Sequence, residues 1–116
     1  MEKPSWILLE HSAQLDDIVR HSFLTPCLIF KHSTKCFISS VALKRLEESW
    51  SLPDSHLIPF FLDAIKNRKL SKQISEIFSE THETPQILLI KKGECILEAT
   101  DMDIHMKEIQ EMVSTA

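Results

Sequence analysis

The chain has 116 residues, 43% of them hydrophobic and 26% charged, with a formal net charge of −4. That length fits a single domain over residues 1–116, able to bury a core without metal or disulfide staples, and the apolar content excludes a disordered chain. No Lys/Arg run stands out, which argues against a nucleic-acid partner, and no apolar run approaches the length of a bilayer span, which argues against a membrane one.

Trp6 to Leu9 reads as a short first strand. Ser12 is placed to cap a helix whose apolar stripe is Ala13, Leu15, Ile18 and Val19, with Asp16 and Asp17 early, where the helix dipole favours them. Pro26 introduces Cys27-Leu28-Ile29-Phe30, a continuous apolar run expected to be a central strand buried on both faces. Polar residues Lys31 to Lys35 end it. From Cys36 the period changes. Ile38, Val41, Ala42, Leu46 and Trp50 recur at helical steps and predict an amphipathic helix to about Ser49.

Ser51 to Ser55 carries turn chemistry. His56 to Asp63 is a second strand, and Pro59 within it points to an edge or a bulge. Asn67 to Lys69 reads as a connection, and Ser71 as the cap of a helix with Ile74, Ile77 and Phe78 inward. Thr81 to Pro85 is a loop before a third buried strand, Gln86 to Ile90. Lys91-Lys92-Gly93-Glu94 predicts a hairpin turn with positive φ at Gly93. With one glycine in the chain, a phosphate-cradling P-loop and a dinucleotide fingerprint are both excluded. Cys95 to Ala99 returns antiparallel. A last helix begins near Asp101 or Asp103, with Ile104, Ile109 and Met112 inward.

The order β-α-β-α-β-α-β-β-α defines an α/β chain with a central mixed sheet flanked by helices, the order of a thioredoxin-like fold. The first residues, MEKPSWILLEHS, lack the apolar core and cleavage site of a signal peptide, so the expected location is cytoplasmic. An odd count of three cysteines does not make a closed disulfide framework, and in a reducing compartment thiols stay free unless catalytic or metal-bound.

Cys36 stands where a strand ends and a helix begins. The first turn of a helix offers unpaired N–H groups and the positive end of the dipole, both of which favour thiolate over thiol. Cysteines so placed have pKa values of roughly 3.5–7.5, against about 8.5 when free, and the thiolate is the nucleophile of disulfide exchange. Cys36-Phe37-Ile38-Ser39 is C-x-x-S, so Ser39 stands where a dithiol redoxin carries its resolving cysteine. A hydroxyl can donate to the Cys36 sulfur but cannot form a disulfide, so an outside thiol must complete the cycle. Lys35, with Lys31 or His32, is a further source of positive potential. Thr84-Pro85 precedes the third buried strand, where thioredoxin folds place a cis-proline facing the reactive cysteine. The Thr84 backbone would then pair with an extended substrate.

Phe30-Lys31-His32-Ser33-Thr34-Lys35-Cys36 with Ile38-Ser39-Ser40, followed by His82-Glu83-Thr84-Pro85-Gln86 and Leu88-Leu89-Ile90-Lys91, resembles the YtxJ-like monothiol bacilliredoxins across nearly the whole chain. The resemblance implies a thioredoxin fold and removal of bacillithiol from S-thiolated client proteins through one cysteine, matching Cys36. It implies a low-molecular-weight thiol as co-substrate and no permanently bound cofactor. Thr34, Lys35, Phe37, Ser39, Thr84 and Pro85 become the expected substrate-binding residues. One position departs from the family, which often carries proline directly after the cysteine. Phe37 instead keeps an N–H donor and adds apolar surface beside the sulfur.

Cys27 and Cys95 are expected to pack as small hydrophobes. His32 and Cys36 are four apart, but nothing nearby completes a zinc set, so no metal site is expected. His82 and Glu83 border either the substrate groove or solvent. Trp6 and Trp50 read as packing residues. A second reading of the whole chain is a non-catalytic thioredoxin-fold module that holds a partner along the Thr84-Pro85 edge, with Cys36 structural.

Overall fold

The computed structural model describes residues 3–115. Met1, Glu2 and Ala116, the ends of the expected 1–116 domain and the start of the stretch read for a leader, lie outside the described residues. Among the described residues five strands form one sheet: β1 (Ile7–Leu8), β2 (Cys27–His32), β3 (Ile58–Asp63), β4 (Gln86–Lys91) and β5 (Glu94–Thr100). Their spatial order is β1-β3-β2-β4-β5. β3 runs parallel to β1 and β2, while β4 runs antiparallel to β2 and β5. Helices α1 (Ala13–His21) and α3 (Arg68–Phe78) cover one face, and α2 (Phe37–Glu48) and α4 (Met106–Ser114) the other. The chain order agrees with the thioredoxin-like expectation.

β2 is the centre of the sheet, and all six of its residues are buried. Alternation sends Cys27 and Ile29 into the layer with Leu15, Ile18, Leu70, Ile74 and Phe78. It sends Leu28 and Phe30 into the opposite layer with Ala42, Leu46, Trp50, Met106 and Ile109. Trp6 closes that second layer, with its ring centroid 5.7 Å from Trp50, 5.9 Å from Phe61 and 6.0 Å from Phe30. Its indole N–H donates to Glu47 Oε2 at 2.7 Å.

The boundaries differ from the sequence expectations for physical reasons. β2 runs through His32 instead of ending at Phe30, because Lys31 and His32 both pair with Leu62 and Asp63 of β3. Pro59 sits inside β3 yet breaks no ladder bond. Ile58 N–H donates to Pro26 O on the β2 side, so Pro59 turns its nitrogen the other way, where β1 begins only opposite Phe60. Ser12 is helical and its hydroxyl caps nothing. Gln14 instead accepts from the Glu10 and His11 N–H groups. α3 starts at Arg68 with Asn67 before it, which makes residues 68 and 69 helical and places Ser71 inside the helix as a buried residue.

Three inward expectations fail, the first being Ala13 of α1, which is exposed. Ile38 is 39% exposed and Ile77 is 51% exposed, while Ser39, Ser71 and Ser75 are buried beside the apolar positions of α2 and α3. The last helix begins at Met106, after a short 3-10 turn at Asp101–Asp103. Met106 joins Ile104 and Ile109 inside, and Met112 is partly buried.

The β4–β5 turn follows expectation. Lys92 and Gly93 both have positive φ, 53° and 79°, as a two-residue hairpin turn requires. Their N–H groups donate to Ser22, Lys92 to its carbonyl at 2.9 Å and Gly93 to its hydroxyl at 2.8 Å. A Cβ on Gly93 would lie 3.4 Å from the Phe23 ring. Gly93→Ala is expected to destabilise the fold by roughly 1–2 kcal/mol through the left-handed backbone alone. In urea unfolding the midpoint should fall with the slope unchanged.

Candidate functional site

The antiparallel pairing of β2 and β4 sets Lys31 opposite Gln86. The end of β2 therefore lies beside the start of β4. Residues 33–36 leave the first strand, residues 79–85 enter the second, and the first turn of α2 rises between sheet and solvent at the same end. Cys36 is the N-cap of α2, in extended backbone (φ −113°, ψ 117°), and is half-buried. Its N–H donates to Ser33 O at 3.1 Å, and its carbonyl accepts from the N–H groups of Ser39 at 3.1 Å and Ser40 at 3.4 Å. Thr34 and Lys35 are exposed, and Phe37 is 81% exposed. The Thr84–Pro85 bond is cis. Thr84 is half-buried, and Pro85 is buried with its carbonyl accepting from Asp101 N–H at 3.2 Å.

Ser39 has a different neighbourhood from the one its spacing suggested. It is fully buried, and its hydroxyl lies 2.7 Å from His32 Nδ1 and accepts from Ser33 N–H at 3.0 Å. These partners, not the Cys36 sulfur, occupy it. His32 is wedged against Phe61 at 5.4 Å and Phe30 at 6.2 Å. Burial pushes its imidazole below the ordinary histidine value, with the Asp63 carboxylate pulling the other way. A ring held neutral adds no positive potential at the helix start.

Lys31 is turned to the other side of the sheet. Its ammonium donates to Ser71 O at 2.9 Å and to Ser75 Oγ at 2.8 Å, and lies 3.3 Å from His82 Nδ1. His82, 3.1 Å from Ser71 Oγ, thus anchors the loop before Pro85 with an inward nitrogen even though the residue is exposed overall. Burial, then the Lys31 charge, lowers the His82 pKa, against the pull of Glu83. Gln86 donates through Nε2 to Thr81 O and Glu98 Oε2, both at 2.8 Å, and its buried Oε1 has no partner. His32, Ser33 and Lys31 are the residues that apolar patterning passes over. The signal for them is the pairing of a polar strand end with inward serines.

The three thiols are free and unlike one another. Cys27 is fully buried, and burial pushes its thiol up to about 12. Burial, reinforced by the Glu80 carboxylate, pushes Cys95 to about 12 as well. Both are protonated at neutral pH and poor nucleophiles. Among the described residues, no three His, Cys, Asp or Glu side chains cluster as metal ligands, and no helix is long and apolar enough to cross a membrane. An open groove of about 930 Å³ between the later half of α2 and α4, lined by residues such as Arg45, His105 and Gln110, includes neither Cys36 nor Pro85.

The family described as monothiol bacilliredoxin BrxC matches residues 7–109. Among solved structures, a candidate oxidoreductase with a thioredoxin fold is 25% identical, covers 90% of each chain and superposes with a TM-score of 0.72. The Malassezia sympodialis thioredoxin Mala s 13 is 11% identical, over 98% of this chain and 92% of its own, with a TM-score of 0.73. Thioredoxin f from spinach chloroplast is 12% identical, over 97% and 94%, with a TM-score of 0.69. The two thioredoxins show the fold alone.

Lys31 makes stability depend on pH. Burial lowers its amine from 10.5 to about 8. Between those values the unfolded chain binds more protons than the native one, so unfolding free energy rises with pH across that window. Urea unfolding of the wild type minus that of Lys31→Met should rise from about pH 8 to about pH 10.5 and level off above it. A flat difference contradicts the assignment.

Proposed function

The chain belongs to the monothiol bacilliredoxin BrxC family, and from that premise we propose that it is a cytoplasmic, single-domain thiol–disulfide oxidoreductase that takes a low-molecular-weight thiol, bacillithiol or a close analogue, off mixed disulfides on client proteins. One observation carries the reading. Cys36 is the half-buried thiol at the start of α2, which follows the β2 end that pairs with the start of β4, whereas Cys27 and Cys95 are both raised to about 12 by burial.

In this reading the Cys36 thiolate attacks the sulfur of the small thiol. A new disulfide forms between Cys36 and that thiol, the client disulfide breaks, and the client sulfur leaves as a thiolate that takes a proton from water. One disulfide replaces another, so no net oxidation occurs. The N–H groups and dipole of the α2 first turn favour negative charge at that point. Ser39 has no thiol with which to resolve the adduct. A second small thiol therefore attacks it, restoring Cys36 and releasing the small thiol as its symmetric disulfide. Thr34, Lys35 and Phe37 border the docking client, and the Thr84 backbone beside Pro85 pairs with its extended segment.

Incubation with a bacillithiolated client should give one adduct by intact mass, retained in Cys27→Ser and Cys95→Ser and lost in Cys36→Ser. No adduct, or an adduct on Cys27 or Cys95, defeats the proposal. Client capture without any mass change favours the non-catalytic binding module, to which the exposed Phe37 also lends itself.

A further inference from the structure

The hydroxyl of Ser39 has one proton and two lone pairs. Ser33 N–H occupies one lone pair at 3.0 Å. His32 Nδ1 lies 2.7 Å from the same hydroxyl, and the imidazole tautomer decides which of the two donates. Burial disfavours the imidazolium, and of the charged groups facing the ring, Asp63 on β3 opposes that effect without being its larger cause. A neutral imidazole with its proton on Nε2 offers Nδ1 as an acceptor. With that tautomer the contacts form a directed chain, Ser33 N–H to Ser39 Oγ–H to His32 Nδ1, with Phe61 and Phe30 against the ring at its end.

A backbone circuit closes on the same residues. Cys36 N–H donates to Ser33 O, and Ser39 N–H donates to Cys36 O. Ser33, Cys36 and Ser39 are thus joined by three hydrogen bonds in a ring, and the only side chain in that ring is the Ser39 hydroxyl. Ser33 and Ser39 are 6% and 0% exposed, so water does not replace a lost partner. Alanine would suit the helix and the burial better than serine, so the hydroxyl has another reason to be there.

We propose that Ser39 is a positioning residue for Cys36, acting through Ser33 and His32 instead of through the sulfur: it fixes the 33–36 turn that carries the thiol onto the end of β2. This deepens the thiol-exchange reading and rests on it for its functional meaning. With the Ser39 proton committed to His32, no donor remains on that hydroxyl for the Cys36 sulfur.

Two measurements test it. In the wild type, imidazole nitrogen NMR should find the His32 proton on Nε2 and Nδ1 accepting a hydrogen bond, and a proton on Nδ1 at neutral pH overturns the proposal whether or not any variant folds. Exchange of Cys36 with a small neutral disulfide should slow by roughly tenfold in Ser39→Ala and recover in Ser39→Thr, which keeps the hydroxyl. The His32 Nδ1 signal should move in the alanine variant and return in the threonine one. Ser39→Ala exchanging within about twofold of wild type, or Ser39→Thr as slow as alanine, overturns it. The probe disulfide contains no bacillithiol and no client. Failure of the client assay therefore leaves this readout intact, and normal client turnover by Ser39→Ala sinks this inference alone.

Discussion

Everything at the candidate site follows from the burial of β2. The strand has a neighbour on each edge and helices on each face, so none of its six residues meets water freely. Its first four residues suit that position. Its last two, Lys31 and His32, are polar and have to find partners inside the protein. An unpaired buried ion costs several kcal/mol, comparable to what two fully buried aliphatic side chains contribute at roughly 1.5–3 kcal/mol each. Strand alternation fixes where the partners must be. Lys31 faces α3 and is met by Ser71, Ser75 and His82, and His32 faces α2 and is met by Ser39.

Those two sets of partners hold the two sides of the site. His32, through Ser39 and Ser33, reaches the turn that ends in Cys36. Lys31, through His82, reaches the loop that ends in Pro85. The walls are remote in sequence and are carried by different elements, yet they are anchored to adjacent residues of one strand on opposite faces of the sheet. Gln86, opposite Lys31, adds a third tie by donating to Thr81 O within the same loop. The site is therefore an extension of the core, built from the polar residues that the core had to accommodate.

The same constraint explains what could be read from sequence. Cys27 to Phe30, Gln86 to Ile90 and the Gly93 turn were legible because continuous apolar runs and a lone glycine carry direct physical signals. Cys36 at the head of a helix was legible from the change of period. The phases of α2 and α3 were not. Reading the apolar residues alone turns Ile38 and Ile77 inward, whereas both are well exposed and Ser39, Ser71 and Ser75 share the inward faces with Ala42, Leu46, Leu70, Ile74 and Phe78. Those serines face the polar end of β2, which itself read as a loop. A buried polar pair leaves no trace in hydropathy, and the inward serines that meet it leave none either. The C-x-x-S spacing lets the Ser39 hydroxyl reach the Cys36 sulfur, and nothing in the spacing shows that Ser33 and His32 are its neighbours.

The register of α2 also accounts for Phe37. Once Ser39 points into the protein beside His32, helical geometry carries Ala42 and Leu46 inward with it and leaves positions 37, 38 and 40 outside. The 81% exposure of Phe37 and the 39% exposure of Ile38 are then a consequence of where the serine must go, not a defect of the core. Large apolar side chains next to a half-buried thiol are informative in a way that scattered ones are not. Phenylalanine also leaves an N–H in the first turn of the helix, where proline would have none, so the helix start keeps the donor directly after Cys36. The hydrogen bond that hides Ser39 thereby also sets which side chains of the first turn after Cys36 face solvent.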